Sequence, residues 1–558
     1  MLFTHFSPLA LLVAAAAADW STQQWDAIVV GAGPAGIIVA SRLAAAGHQT
    51  LLLEGGAALS YGVTGGDLNS RRPSWLAGTS LTRVDVPGLY KSIFSDGGGL
   101  TCPGTQVAGY GGCTIGGSSA INAGLFFEPP ASDYDLYFPA GWKSADMESA
   151  TTRLYATQSS TNLTSQDGTR YLQTGYTAAR KWLVDGLGFK DVDINAQAND
   201  KTQVFGYPIF DYSNGQRGGP VTNYLQSALK RTNFNLQSGA RVTRVERTGS
   251  KVTGVTVSVG GVDKVVNLTP KGRVILSGGA LQSPSLLMYS GIGDPAELTK
   301  LQNGNKLASN MAPAQWINST AVGSGLFDNP NTFIELSGPS IESYTYSYDN
   351  PPAGDRDLYL QKRSGPYTFA SQTAVFWDTI KHPDGSVTGL QGTIDSSGYA
   401  DFNDQNTITL NVYGTSGLKS TGRVVLDASL VPGPDGSVYY SNPRDAQDIA
   451  SWIHKLFQKL PDSGLTPRNI PQQASQADIE KYITTFSPYA RGQVNHWTSS
   501  CRIGTCVDKN TVVIGTTNLH VVDSSIVAPL TVNPQFGVMV AAERASELIL
   551  ALDGKKIV

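Results

Sequence analysis

The clearest shortage in this 558-residue sequence is charge. Only 15% of the residues are Asp, Glu, Lys or Arg, and the formal net charge at pH 7 is −3. Nucleic-acid-binding proteins usually present a strongly basic surface, so we expect no nucleic-acid partner. With 41% hydrophobic residues, the sequence is typical of a globular protein. Its length predicts two closely joined domains rather than one.

Long apolar segments are missing as well, apart from one at the N-terminus. That segment, residues 9–18, is too short to span a bilayer and ends in alanines just before Asp19. We therefore predict a signal peptide at residues 1–18, a secreted extracellular protein and no membrane anchor. Three Asn-X-Ser/Thr sequons agree with secretion and predict glycosylation. They begin at Asn162, Asn267 and Asn318.

Cysteine is scarce, and the four cysteines form two local pairs. The pairs are Cys102 with Cys113 and Cys501 with Cys506. In an oxidising compartment each pair would close a short loop as a disulfide, and the alternative is two pairs of buried thiols. No histidine cluster accompanies either pair, so the sequence predicts no metal site.

The chain is organised around residues 25–56. An apolar run at 27–30 predicts a strand, a glycine turn follows, and a helical pattern covers residues 37–46. A second predicted strand at 50–53 ends at Glu54. This order of elements is typical of a dinucleotide-binding unit, although a purely structural turn is the alternative. The turn consists of Gly31, Ala32, Gly33, Pro34, Ala35 and Gly36.

Each part of this unit has a physical role in binding a dinucleotide. Gly31 makes the tight turn, Gly33 lets the backbone approach a pyrophosphate, and Gly36 lets the helix pack against the strand. The helix N-terminus offers free N–H groups and a partial positive charge to the phosphates. Glu54 is placed to accept hydrogen bonds from a ribose. The motif alone does not distinguish FAD from NAD.

Later stretches extend this interpretation. Residues 112–124 are rich in glycine and are either a flexible loop or a cover over a bound cofactor. Strands are predicted at 235–245, 252–259 and 264–268, and a buried strand at 274–277 runs through glycine into a helix at 285–290. That last pattern predicts a return to the first sheet. Residues 331–430 alternate strands with turns and lack a second nucleotide turn, so we interpret them as part of a substrate-binding half.

Several of these stretches resemble the glucose-methanol-choline (GMC) family of FAD oxidoreductases. Residues 25–56, 112–135 and 279–293 carry the resemblance, together with an Asn-His-Trp segment at 495–497 and an Asn-Pro-Gln segment at 533–535. The resemblance implies an α/β fold, with FAD bound by a Rossmann-like domain at 25–150, 234–320 and 505–558. It implies a discontinuous α+β substrate domain, built on an antiparallel sheet, at 151–233 and 321–504. The further cofactor-binding residues that it implies are Gly116, Gly117, Asn122, Val242, Asp523 and Pro534.

The resemblance also assigns the chemistry. Alcohol oxidation by a flavin needs a base for the hydroxyl proton, and histidine suits this near neutral pH. Of six histidines, only His496 matches the family's catalytic position. The second active-site position falls on Asn533, which would hold the substrate hydroxyl, although a helix N-cap is the alternative role. The helix that begins at Pro534 would direct its positive end at the flavin.

Within the family, the sequence is most similar to the flavin domain of cellobiose dehydrogenases. This likeness implies oxidation of the anomeric hydroxyl of a sugar to a lactone, with a quinone, dye or redox-protein acceptor and a monomeric protein. It adds Asn495, Arg423 and Lys91 as substrate contacts. No haem domain precedes the flavin part, and Lys91 stands where a carboxylate is expected, which predicts a smaller preference for disaccharides or a preference for anionic ones. The alternatives are an oxidase that uses oxygen, an oxidoreductase for a non-sugar alcohol, or an inactive sugar-binding relic.

Overall fold

The computed structural model describes residues 19–56, 61–64, 72–96, 100, 102, 111–307 and 311–558. The predicted signal peptide lies outside this range. The strands, in chain order, are β1 (Gln24–Val30), β2 (Thr50–Leu53), β3 (Lys190–Asp191), β4 (Val204–Gly206), β5 (Tyr212–Ser213), β6 (Gln216–Arg217), β7 (Phe234–Gln237), β8 (Ala240–Thr248), β9 (Lys251–Val259), β10 (Val262–Leu276), β11 (Ile292–Gly293), β12 (Ile317–Asn318), β13 (Ser324–Leu326), β14 (Pro330–Ser337), β15 (Gln372–Lys381), β16 (Val387–Asp395), β17 (Thr407–Gly414), β18 (Gly422–Leu426), β19 (Pro432–Pro434), β20 (Thr466–Pro467), β21 (Ala490–Gln493) and β22 (Leu519–Val521). The α-helices are α1 (Pro34–Ala45), α2 (Tyr90–Asp96), α3 (Ala131–Tyr137), α4 (Ser144–Thr157), α5 (Thr174–Arg180), α6 (Gln226–Ala228), α7 (Gly279–Tyr289), α8 (Pro295–Asn303), α9 (Ala353–Lys362), α10 (Pro443–Phe457), α11 (Gln476–Thr484) and α12 (Pro534–Leu552).

The first sheet has seven strands in the order β7-β2-β1-β10-β9-β8, with β22 also paired to β10. Strands β7, β2, β1, β10 and β22 run parallel, and β8 and β9 add an antiparallel hairpin extension. Strands β1 and β2 are apolar and almost entirely buried, as expected for parallel strands with covered faces. Helix α1 packs on them and against α12. The carboxyl ends of β1 and β2 meet at one edge, where a cofactor is expected.

The predicted return of the chain to the first sheet is confirmed, because β10 lies parallel to β1, but two predicted strand boundaries are wrong. The predicted strands at 264–268 and 274–277 form one strand, β10. Its first half pairs antiparallel with β9 and its second half lies parallel to β1 and β22, so it remains in one sheet throughout. Conversely, the predicted strand at 235–245 is divided into β7 and β8, because Gly239 turns the chain with a φ of +65°.

The second sheet follows the order β20-β14-β17-β16-β15-β4-β3, with β21 beside β14. Its central strands are antiparallel. One face is apolar and packs against α5, α10 and α11, and these contacts form the second large hydrophobic core. The opposite face carries polar side chains such as Gln391 together with Trp377, whose ring contacts Phe127 of the first domain. The predicted α/β fold, a Rossmann-like domain joined to a discontinuous domain on an antiparallel sheet, is therefore observed.

Both cysteine pairs are disulfides, Cys102–Cys113 and Cys501–Cys506, which excludes the thiol alternative. Within the described residues, no helix is long and apolar enough to cross a membrane. The same residues contain no group of three or more His, Cys, Asp or Glu side chains suited to a metal ion.

Candidate active site

The glycine turn at the end of β1 has two glycines fixed by packing and one that leaves space open. Gly31 has a φ of +106°, and a Cβ there would lie 2.4 Å from the Ser277 carbonyl oxygen. A Cβ on Gly36 would lie 1.9 Å from the Gly31 oxygen. On Gly33 the nearest described atom beyond the chain neighbours would be 4.0 Å away. The space above Gly33 is therefore available to a ligand, as a pyrophosphate site requires.

Glu54 joins the tips of the first two strands. Its Oε2 accepts a hydrogen bond from Ala32 N at 2.9 Å, and its Oε1 accepts one from Gly56 N at 2.8 Å. Burial raises the pKa of this carboxyl to about 7. Each oxygen retains a lone pair, so the carboxylate can still accept a ribose hydroxyl.

The second glycine-rich stretch packs directly on this turn. Gly116 N donates to Ala32 O at 2.8 Å, and a Cβ on Gly117 would lie 2.7 Å from Gly33 Cα. Asn122 is held by other protein groups, because its Oδ1 accepts from Gly124 N at 2.9 Å and its amide nitrogen donates to Gln535. This stretch therefore lies where the sequence predicts a cover for the cofactor.

The remaining predicted cofactor residues lie around the same edge. Val242 is buried in β8, beside the backbone bond from Ala240 N to Glu54 O. Pro534 is the first residue of α12. Asp523 differs from expectation, because its carboxylate accepts from the backbone N–H of Gly279 and Ser525 and from two serine hydroxyls. Its side chain therefore holds α7 and the following turn, and only its backbone remains for a cofactor.

His496 and Asn533, which are far apart in sequence, are in direct contact. Asn533 Nδ2 lies 3.1 Å from His496 Nε2, and His496 Nδ1 lies 2.8 Å from Asn329 Oδ1. The Asn329 amide nitrogen donates to Gly414 O at 2.7 Å, which fixes its oxygen towards the imidazole. Nδ1 therefore carries the proton and Nε2 keeps its lone pair. Burial lowers the pKa of the imidazole to about 3, so it is neutral at ordinary pH.

Asn533 occupies the N-cap position of α12, but its side chain does not cap the helix. Its Oδ1 instead accepts from Gln391 Nε2 at 2.6 Å and from the Tyr413 hydroxyl at 3.5 Å. These bonds orient the amide so that its N–H groups point towards His496. The N-cap alternative is therefore excluded, and α12 directs an uncapped N-terminus at the site.

The loop that carries His496 is held from below by Asp328. Its two oxygens accept from His496 N at 2.7 Å and from Asn495 N at 3.2 Å, and burial raises the pKa of this carboxyl to about 6. Asn495 has a φ of +67°, a left-handed conformation that an asparagine tolerates at some cost. The Asn495 side-chain oxygen is buried without a partner among the described groups. Asn495 therefore lies next to His496 with a side-chain oxygen free of described partners, and its role as a substrate contact stays a prediction.

The other two predicted substrate contacts lie further out. Arg423, on β18, bonds Asp294 Oδ2 and Thr320 O at 3.1 Å each, and neither partner belongs to the group around His496. The structure therefore gives Arg423 a role in joining β18 to the N-terminus of α8. Lys91 lies 2.8 Å from Asp395 Oδ2, at the C-terminal end of β16.

Another histidine with a lowered pKa shows that such a shift alone does not mark the base. Burial also lowers the pKa of His520 to about 3, yet its neighbours are Arg273, Thr511 and the Asn510 carbonyl. No described bond connects it to Asn533. His496 differs because it belongs to an amide-to-imidazole chain of hydrogen bonds at the sheet edge.

Sequence motifs did not indicate Asn329, Gln391 and Tyr413. Asn329 precedes β14, Gln391 lies on β16 and Tyr413 lies on β17. Each of them is more than eighty residues from His496 in the sequence. The sequence signal that indicates a residue such as Gln391 is the alternation of polar and apolar residues along a strand. In β16, the residues Gln391, Thr393 and Asp395 alternate with Leu390, Gly392 and Ile394, which is the pattern of a strand with one apolar and one polar face.

The dinucleotide edge of the first sheet and the histidine–amide pair beside the second sheet together define a two-domain flavin oxidoreductase. Two family models, both described as GMC oxidoreductase, match residues 90–331 and residues 418–542, and together they cover more than half of the chain. The chain belongs to the GMC oxidoreductase family. Its cofactor is FAD, and its substrates are of the alcohol type, with a CH–OH group to be oxidised.

Individual relatives extend over almost the whole chain. It is 26% identical over 599 residues to the chloroplastic fatty acid photodecarboxylase of Chlamydomonas reinhardtii, covering 97% of this chain and 92% of the relative. It is 26% identical over 573 residues to the oxygen-dependent choline dehydrogenase of Vibrio vulnificus, covering 95% and 94%. A solved structure of formate oxidase from Aspergillus oryzae RIB40 superposes with a TM-score of 0.77 at 17% identity, covering 96% of this chain and 99% of that one.

The residues of this chain fit FAD, and each has a part in the chemistry. When bound, FAD accepts the hydride that leaves the substrate carbon. His496 Nε2 would take the proton from the substrate hydroxyl, while Asn533 Nδ2 would donate a hydrogen bond to the same oxygen. Asn329 keeps the proton on Nδ1, which leaves the Nε2 lone pair on the side of Asn533. The N-terminus of α12 favours negative charge that develops beside it.

Proposed function

We propose that the protein is an FAD-dependent sugar dehydrogenase that oxidises the anomeric hydroxyl of a mono- or oligosaccharide to a lactone, as cellobiose dehydrogenases do. One observation carries the proposal. The sheet face beside His496 and Asn533 carries the side-chain amides of Gln391, Asn411 and Asn331 among aromatic neighbours such as Tyr413 and Phe333. A site for a simple apolar alcohol would not need these amides.

The second candidate is an oxidase or alcohol oxidoreductase for a non-sugar substrate, with oxygen as the acceptor. It is supported by a relative named oxygen-dependent choline dehydrogenase and by a structural neighbour named formate oxidase. A quaternary ammonium needs aromatic faces or carboxylates around it. Phe333 and Tyr399, with ring centroids 4.9 Å apart, lie near the buried Glu335 and could supply both.

A flavin-bleaching panel separates the two candidates. The purified holoenzyme is mixed under nitrogen with glucose, cellobiose, choline or benzyl alcohol, and loss of flavin absorbance is followed in a stopped-flow instrument. We expect reduction by the sugars alone. Re-oxidation is then compared in air and with a quinone or dye, and we expect the quinone or dye to be faster. Reduction by choline but by neither sugar would overturn the proposal.

We also propose that the protein is a secreted, monomeric glycoprotein. Both disulfides support an oxidising compartment. The sequon residues Asn267 and Asn318 are exposed, whereas Asn162 is half-buried and its side-chain oxygen accepts from Arg170 at 3.2 Å. Peptide mass spectrometry of the secreted protein should therefore find glycan at Asn267 and Asn318 before Asn162. Light scattering tests the monomer.

A further inference from the structure

The polar face of the second sheet is arranged in rows that begin at the catalytic pair. In the first row Gln391 and Asn331 stand on either side of Tyr413. In the second row Asn411 stands between Thr393 and Phe333. Residues two apart on a strand share a face and lie ~7 Å apart, so successive rows step outward from His496 by about that distance.

The contacts show which way this face points. Gln391 and Tyr413 bond Asn533 from the first row. Two rows further out, the Thr409 hydroxyl bonds both carboxylate oxygens of Glu335, at 2.9 and 3.2 Å. The intervening residues Leu390, Leu410 and Ile334 belong to the opposite, apolar face. The face that carries the rows is therefore the one that contacts Asn533.

This face has hydrogen-bond acceptors without donors. Gln391 Oε1, Asn331 Oδ1 and Asn411 Oδ1 are buried oxygens that no donor reaches within the described part of the chain. Gln391 is 0% exposed and Asn331 is 4% exposed, so water does not replace the missing donors freely. A buried acceptor without a partner destabilises the protein, and native structures satisfy nearly all of them. We refer to these three oxygens as the acceptor wall.

We propose that the acceptor wall is a binding site for the hydroxyl donors of a polyhydroxylated substrate. It rests on the proposed sugar dehydrogenase activity and deepens it. The reacting carbon lies at His496, further hydroxyls of the same ring donate to Gln391 and Asn331, and those of the next ring donate to Asn411. An alcohol with a single hydroxyl leaves the wall unpaired, so the site discriminates against it.

The proposal is tested by a thermodynamic cycle in which a substrate hydroxyl, a residue of the acceptor wall, or both are removed. Single-turnover flavin reduction is measured with cellobiose and with its analogues that each lack one hydroxyl, in the wild-type protein and in Asn411→Leu. In the wild type, removal of at least one hydroxyl remote from the reacting carbon should lower kcat/KM by ~10–100-fold, the loss expected when a buried acceptor is left unpaired. In Asn411→Leu, the same removal should cost less than ~3-fold, because the partner is already gone.

Two control variants distinguish the loss of a substrate contact from a folding defect. Asn411→Asp keeps an acceptor of the same shape and should retain the discrimination. Asn303→Leu changes an exposed amide on α8 and should behave as the wild type. Flavin content and melting temperature are recorded for each variant. Calorimetry with 1-deoxycellobiose, which lacks the hydroxyl to be oxidised, provides a binding readout independent of turnover.

The outcomes separate the two proposals. If no sugar bleaches the wild-type flavin, the sugar dehydrogenase function is wrong. If cellobiose bleaches it but every remote hydroxyl is dispensable, the acceptor wall is not a hydroxyl site. The same conclusion follows if the remote-hydroxyl penalty is unchanged in Asn411→Leu. Equal affinity of the two proteins for 1-deoxycellobiose would also contradict the proposal.

Discussion

The two halves of the molecule hold their ligands in different ways. The first sheet presents backbone, with Gly33 leaving open space and Glu54 bracing two backbone N–H groups. The second sheet presents side chains from separate strands, including Gln391, Tyr413 and Asn411. A backbone site is encoded in one short stretch, because only glycine permits those conformations and contacts. A side-chain site is assembled by strand register, and no short motif records it.

The difference predicts unequal responses to mutation. A single added side chain in the backbone site blocks the cofactor altogether, whereas the side-chain site loses one interaction at a time. The experiments below test this contrast, from the largest expected effect to the smallest.

Gly33→Val should abolish FAD binding. The new side chain would fill the space above the turn that no described protein atom occupies, where the pyrophosphate is expected. Gly354→Val is the matched control, because a side chain there would meet nothing within 4 Å and the residue is exposed on α9. Flavin absorbance per protein is the measurement, and full flavin content in Gly33→Val would refute the pyrophosphate assignment.

His496→Ala should retain FAD but reduce it ~10²–10⁴ times more slowly, the range expected for loss of a general base. His520→Asn is the matched control, since burial lowers the pKa of His520 to about 3 as well, but no described bond links it to the site. Its reduction rate per bound flavin should be unchanged. An unaltered single-turnover rate in His496→Ala would remove this residue from the mechanism.

These two positions also show what could be predicted from the sequence. The glycine turn, Glu54 and the pair His496 and Asn533 could be singled out, because each lies in a contiguous segment with its own physical or family pattern, and their roles stay predictions. Asn329, Gln391 and the acceptor wall could not, since their proximity depends on the pairing of β14, β16 and β17. For Asn533 the sequence leaves both a helix cap and a catalytic role open. In the structure, the hydrogen bond from Gln391 orients the Asn533 amide towards His496.

A smaller effect should follow from changing the group that fixes the imidazole tautomer. Asn329→Asp would place a carboxylate 2.8 Å from His496 Nδ1 and would stabilise the protonated ring. The wild-type pKa of about 3 leaves the base neutral down to acidic pH, so kcat/KM for flavin reduction should be insensitive to this group above about pH 5. A carboxylate neighbour typically raises such a pKa by ~1–3 units.

The acidic limb of the pH profile should therefore move to higher pH in Asn329→Asp, with activity lost as the pH falls through the new value. Asn403→Asp adds the same charge at an exposed position and should leave the profile unchanged. If both variants gave the wild-type profile, Asn329 would not act on the base through Nδ1.

The smallest effect concerns Lys91, at the outer end of the side-chain site. Its ammonium is bonded to Asp395, and the buried Glu335, whose pKa burial raises to about 7, lies close enough to interact with it. Two carboxyl groups face one ammonium, so the structure removes the reason to expect an anionic sugar there. The side chain is 44% exposed, and exposed ion pairs contribute little.

We therefore expect Lys91→Met to change kcat/KM for cellobiose by only ~2–5-fold, which corresponds to less than about 1 kcal/mol. The kcat/KM for glucose should stay constant, because a single ring bound at His496 does not reach Lys91 and Asp395. Lys362→Met, on α9 and exposed, is the control for a lost surface charge. An equal change for both sugars would place the effect of Lys91 on the fold rather than on a subsite. A large gain in kcat/KM for an acidic disaccharide in Lys91→Met would show instead that Asp395 and Glu335 repel an anionic substrate less than their positions imply.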